Sequence, residues 1–189
     1  AEVFGASEGN ALRVKQIVLV AVGIIALAVA AKISIPMWPV PVTMGTFAVL
    51  TIGAAYGPRL GLATILGYMI IGALGFDVFA SSSAEKFGLT YMMGSTGGYL
   101  LGYVLATLAL GYFARLGWDR SIGLMALALV VGNALIYVPG LLWLGQLYGW
   151  DQPILKWGFT PFVIGDALKL VLAALIVPGV WKLVGKARA

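Results

Sequence analysis

The sequence predicts an all-α, polytopic membrane protein with six transmembrane helices and both termini cytoplasmic. Three observations carry that expectation. The 189 residues are 61% hydrophobic and only 10% charged, against about 25% charged in soluble domains. Apolar, nearly charge-free runs alternate with short connections rich in Pro, Gly, Trp and Arg, the pattern of spans and interfacial turns. The basic residues divide unequally between alternate connections.

Residues 1–16 are small and polar, with Arg13 and Lys15 at the end, and read as a short tail at the membrane surface. A single membrane domain then covers 17–184, and 185–189 form a basic tail. Ile17 to Ala31 is the first span. Its basic flank and its Ala28-Val29-Ala30 ending also have the form of a cleaved signal peptide. Removing it would leave an odd number of spans, so it is kept as a span.

Lys32 to Val42 holds Pro36, Pro39, Pro41 and Trp38, a stiff extended connection, because proline fixes φ and cannot continue a helix. Thr43 to Tyr56 and Leu60 to Leu74 are the second and third spans, separated by the turn Gly57-Pro58-Arg59. Both are short against the roughly 20 residues of a full crossing, which implies tilt or helix running into the turn. Gly53, Gly57 and Gly61 recur every four residues, a spacing that suits close packing.

Gly75 to Ser95 is the longest connection, and it carries Asp77, Glu85 and Lys86. Connections of this length are often functional. It leads into Gly94-Ser95-Thr96-Gly97-Gly98-Tyr99, where glycines let backbone approach a ligand and a helix start offers free N–H groups. Gly94, Gly98 and Gly102 equally form a small-residue packing stripe. Gly97 to Ala114 is the fourth span. After a charged turn, Ile122 to Tyr148 is the fifth, with Asn133, Tyr137 and an expected kink or break near Pro139.

The sixth, Thr160 to Pro178, contains Asp166 and Lys169 inside an otherwise lipid-compatible helix. An ionised side chain near a bilayer centre costs at least about 2.5–3.5 kcal/mol, so this pair needs a reason. Spaced by three, the two lie on one helix face. Either they neutralise each other and fix helix packing, or they line a polar pocket in which Lys169 attracts an anionic group and Asp166 accepts from N–H donors.

With both ends inside, the inner segments hold eight basic residues and the outer loops hold Lys32, Lys86 and Lys156, as the positive-inside rule requires. Asp166 and Lys169 then lie about 9–14 Å along the sixth helix from its outer end. The Gly94 to Tyr99 segment, the proline-rich connection and the Lys86 loop share that side. They converge on a pocket open to the outside.

Composition also excludes. There is no Cys and no His, which removes thiol nucleophiles, the usual metal ligands and the imidazole base. No catalytic residues, metal or cofactor are expected, and the chain does not read as an enzyme. Scattered basic residues do not suggest nucleic acid, and no phosphate-binding Gly-x-x-x-x-Gly-Lys-Ser/Thr loop is present to hydrolyse ATP.

The ordered pieces Ile33-Ser34-Ile35-Pro36, Pro39-Val40-Pro41-Val42-Thr43, Gly57-Pro58-Arg59-Leu60-Gly61, Gly94 to Tyr99 and Gly165-Asp166-Ala167-Leu168-Lys169 resemble the BioY family, the biotin-binding S components of energy-coupling-factor vitamin transporters. The resemblance runs from about Ala21 to Ala174. It implies a multi-pass subunit of a bacterial cell membrane that binds biotin from outside and works with a coupling membrane protein and two ATP-binding subunits. A solitary transporter of biotin, or an S component for another vitamin, shares the same signs.

By that resemblance Asp166 and Lys169 belong to the ligand site, with Lys86 a further candidate from the long loop. Beside them stand Thr96, Gly97, Gly98 and Tyr99, the glycine N–H groups for an oxygen and the Tyr99 ring for the apolar part of biotin. Whether Lys169 or Lys86 meets the carboxylate stays open. Ala26 and Ala30 on the first helix are where the resemblance puts the coupling protein. Two positions depart from the family: Ser95 stands in place of proline, which could loosen the loop, and Gly45 in place of glutamine, which removes a polar side chain.

Overall fold

The structure, a computed structural model, describes residues 9–80 and 87–188. Helix α1 (Gly9–Lys32) is followed by a hairpin of β1 (Ser34–Ile35) and β2 (Val42–Thr43), with Ser34 opposite Thr43. Then come α2 (Gly45–Ala73), the short α3 (Gly88–Met92), α4 (Gly97–Arg115), a 3-10 turn at Trp118–Arg120, and α5 (Ile122–Tyr148). The chain closes with α6 (Ile154–Gly158), a 3-10 turn at Thr160–Phe162, and α7 (Val163–Arg188). Of the tail expected over 1–16, residues 9–16 are helical and continuous with the first span.

Among the described residues, five helices are long and apolar enough to cross a membrane. One of them is two. Gly57 has φ 76° and ψ 176° inside α2, a conformation that glycine alone adopts cheaply. Gly61 packs on Gly53, its would-be Cβ 3.6 Å from the Gly53 Cα, whereas eight residues of straight helix span about 12 Å. The chain therefore folds back at Gly57, giving the second and third spans as arms 45–56 and 58–73. Arg59 lies within the second arm's first turn instead of in a loop.

The glycine spacing serves packing. Gly53 and Gly61 both abut Thr107 of α4, with would-be Cβ distances of 3.1 and 2.8 Å. Helix α4 lies between α2 and α5, α1 packs on α2, and α7 closes the bundle between α5 and α2. Val49, Ile65, Ala106, Leu129 and Ile136 fill the centre without exposure. On the outside Ile17, Leu101, Leu168 and Leu175 are exposed, an apolar surface that only lipid satisfies.

The break expected as one outcome near Pro139 does not occur. Helix α5 runs through Pro139 without interruption, and α7 continues past Pro178 to Arg188. Neighbouring helices explain the first: Gly102 of α4 brings its backbone against Leu135 and Ile136, with would-be Cβ distances of 2.8 Å to the Leu135 carbonyl and 2.6 Å to Ile136 Cα. Such contacts hold the turn whose hydrogen bond proline removes.

Candidate functional site

Helix α7 starts at Val163, so Asp166 sits in its first turn. There the helix dipole and free N–H groups favour a carboxylate. Asp166 is 4% exposed and has three side-chain partners. Tyr137 of α5 donates to its Oδ2 at 2.5 Å; Lys169 donates to Oδ1 at 2.8 Å and Thr46 of α2 at 3.4 Å.

Lys169 is equally engaged. Besides Asp166 it donates to the Thr43 carbonyl at 2.6 Å and to the Thr46 hydroxyl at 3.2 Å. An ammonium has three protons, and each has an acceptor. The pair is thus neutral, hydrogen-bonded and shared among α2, α5 and α7.

Lys169 forms part of the wall of a cavity of about 660 Å³, counting its mouth. Leu27, Ile136 and Phe79 give it an apolar bed, and Tyr68, Tyr91, Tyr99, Tyr103 and Tyr137 ring it. The phenols are anchored: Tyr68 donates to the Val78 carbonyl at 3.0 Å and Tyr99 to that of Gly158 at 2.8 Å. Phe79 enters from the loop after α2. It stacks on Tyr91 at 4.8 Å and meets Tyr68 edge-on, and it fits because Gly72 has no side chain to collide with its ring. Burial raises the Tyr91 phenol above its ordinary pKa, partly offset by a hydrogen bond with Thr96.

Of the residues singled out in the sequence, Lys169, Thr96 and Tyr99 line this cavity. Asp166 does not line it: it holds Lys169 and Tyr137 and lies on the wall of a separate groove between α5 and α7. Gly97 and Gly98 do not line it. The Gly97 N–H donates to the Gly94 carbonyl at 3.1 Å, and both glycines pack their backbones on α5, against Trp143 and Pro139. Of the two N–H groups expected to meet a ligand oxygen, that of Gly97 is thus taken by Gly94. Lys86 lies outside the described residues.

The Ser95 side chain is anchored. Its hydroxyl donates to the Pro39 carbonyl at 2.5 Å, tying the hairpin tip to the start of α4, and Trp143 donates to the Gly94 carbonyl at 2.8 Å. Gly45 makes room for Tyr103: a Cβ there would lie 3.0 Å from the Tyr103 hydroxyl and 2.9 Å from the Thr43 Oγ1. At the rim Lys32 donates to Asp77 at 2.5 Å and to the Phe79 carbonyl at 2.9 Å. Sequence reasoning passed over Thr43, Thr46, Tyr68, Tyr91 and Tyr103, all of which line the cavity. Tyr137 beside Asn133 in the fifth span was the available signal, since polar atoms inside a span need partners.

Residues 6–186 match the family profile described as the BioY family. The chain belongs to the BioY family. Among curated relatives, "Probable biotin transporter BioY" of Pyrococcus horikoshii is 35% identical over 165 residues, covering 87% of this chain and 95% of that one. "Biotin transporter BioY" of Thermotoga maritima is 35% identical over 154 residues, covering 79% and 86%. The crystal structure of the S-component for biotin from an ECF-type ABC transporter shares the fold with a TM-score of 0.77 at 22% identity, over 93% of this chain and 95% of that one. The chain is therefore a multi-pass membrane protein of a transporter family and not an enzyme.

Proposed function

We propose that this protein is the biotin-binding membrane subunit of a vitamin uptake system, capturing biotin from outside and releasing it inward with an ATP-driven energy-coupling module. The observation that carries the reading is Lys169: a part-buried cation, held by three acceptors, on the wall of a tyrosine-ringed cavity. Family membership and the relatives' names support biotin as the ligand.

Biotin offers a ureido carbonyl and two N–H donors, an apolar bicyclic ring, and a carboxylate tail. The neutral Asp166–Lys169 pair suits the neutral ureido end, because a carboxylate there would leave a net negative charge in a low-dielectric site. The ureido carbonyl takes the Lys169 proton now on Thr46, the longest of its three bonds. The freed Thr46 hydroxyl oxygen faces the ureido N–H groups, and the tyrosine rings cover the bicycle. The tail points to the mouth; Lys86, which the sequence offers as a candidate counter-charge, lies outside the described residues.

Both termini are cytoplasmic in this reading, and the protein resides in a bacterial cell membrane. The coupling membrane protein docks on α1, where Ala26 is exposed and Ala30 half-buried, and two ATP-binding subunits supply the energy. A panel of radiolabelled vitamins offered to the purified protein tests the specificity. Retention of biotin alone supports the proposal; retention of another vitamin, with biotin ignored, contradicts it.

A further inference from the structure

The loop that follows α2 reaches the cavity without regular structure: residues 76–80 are neither helix nor strand. Side chains from other elements must therefore hold its backbone in place. Two of them hold three consecutive residues. Lys32, in the last turn of α1, donates to the Asp77 carboxylate at 2.5 Å and to the Phe79 carbonyl at 2.9 Å. Between these contacts, Tyr68 of α2 donates to the Val78 carbonyl at 3.0 Å. Phe79 is 1% exposed and forms part of the cavity wall beside Leu27 and Ala31 of α1. Its seat is tight, because only the missing side chain of Gly72 leaves room for the ring.

We propose that Lys32 is a positioning residue for the cavity: its bond to the Phe79 carbonyl keeps the Phe79 ring on the wall and so slows escape of a bound ligand. The two Lys32 bonds are unequal. The Lys32 and Asp77 side chains are 40% and 72% exposed, and an ion pair so open to solvent contributes little. The carbonyl bond is part-buried, and the charge on its donor strengthens it. It also acts on the residue whose ring lines the cavity. Without it, the segment keeps only the Tyr68 anchor at Val78 and can turn about that point. The ring then loses its stacked contact with Tyr91, 4.8 Å between centroids, and the apolar bed of the cavity opens.

Hydrogen-exchange mass spectrometry of the ligand-free full chain tests the placement of Phe79. The rate of biotin release tests its consequence, which rests on the function proposed above. Lys32→Met should speed exchange over residues 76–80 about tenfold, the worth of one hydrogen bond to a charged group. Biotin release should quicken by a similar factor while the melting temperature holds. Lys32→Arg still reaches the carbonyl and should restore both rates; Asp77→Asn keeps the carbonyl bond and should move either far less. Unchanged exchange in Lys32→Met overturns the proposal. So does faster exchange with unaltered release, or faster exchange spread through α1 and α2 with a lower melting temperature, which would make Lys32 a general packing residue. An Asp77→Asn effect as large as that of Lys32→Met overturns it in favour of the ion pair. If the unaltered protein retains no biotin, the functional reading fails, and the exchange measurement still decides whether Lys32 holds Phe79.

Discussion

Tyr137 donates its phenolic hydrogen to Asp166 Oδ2 at 2.5 Å, joining α5 to α7 across 29 residues of sequence. That bond leaves Oδ1 for Lys169 and Thr46. The carboxylate is therefore pinned by the protein, and Lys169 reaches the cavity wall as a cation in a fixed place. Tyr137→Phe removes one donor from a buried carboxylate and should cost about 1–3 kcal/mol of stability. Thermal unfolding in detergent reads the loss, and unchanged stability would mean that the bond carries nothing.

The Asp166–Lys169 pair separates structural from functional roles by a double substitution. Lys169→Met alone strands a buried carboxylate and should destabilise by about 3–5 kcal/mol. Adding Asp166→Asn removes the stranded charge and should restore most of that stability. Biotin affinity should stay at least about tenfold below the unaltered protein's. Melting temperatures set beside equilibrium binding resolve the two effects.

Ser95→Ala deletes the hydroxyl that ties the start of α4 to the Pro39 carbonyl. The hairpin tip then lacks one anchor over the mouth. Release of bound biotin should quicken severalfold, with little change in melting temperature, because the lost bond contributes only about 1 kcal/mol. Stopped-flow release against excess unlabelled ligand measures it; an identical off-rate would detach the hairpin tip from gating.

Glycine substitutions should divide by what the added methyl meets. At Gly102 it would lie 2.6 Å from Ile136 Cα and 2.7 Å from the Ile136 carbonyl, backbone atoms that cannot turn aside. Gly102→Ala should destabilise by at least about 1–3 kcal/mol. At Gly165, inside the Gly-Asp-x-x-Lys piece, nothing lies within 4 Å. Gly165→Ala should be neutral or gain up to about 1 kcal/mol from helix propensity. The two melting curves decide, and a large loss at Gly165 would contradict the open surface seen there.

Tyr91 gives a pH expectation. Burial raises its pKa from the ordinary 10.0, so the folded protein holds the proton more tightly than the unfolded chain. The associated stability is fully present below pH 10 and falls as pH rises beyond it, when the unfolded chain ionises first. Unfolding followed from pH 8 to 11 should be flat and then decline, and Tyr91→Phe should remove part of the decline.

The six-span plan was legible because apolar runs and interfacial turns are written directly in the sequence. The fifth span, Ile122 to Tyr148, has the bounds of α5. Asp166 and Lys169 announced themselves as charges inside a lipid-compatible run. Their division of labour did not, since it depends on Thr43, Thr46 and Tyr137, brought together only by tertiary packing. The tyrosine ring around the cavity was hidden for the same reason: Tyr68, Tyr91, Tyr103 and Tyr137 come from four helices, and each alone reads as an ordinary interfacial or core aromatic. A break at Pro139 was over-read, because its local rule gives way where the α4 backbone at Gly102 packs on the turn before it.

The most direct measurement is titration calorimetry of biotin against the unaltered protein and the Asp166→Asn, Lys169→Met double variant, both shown folded by the same melting profile. The account predicts saturable binding to the first and at least about a tenfold weaker dissociation constant for the second. Equal affinity in the two would show that the buried charges serve helix packing alone.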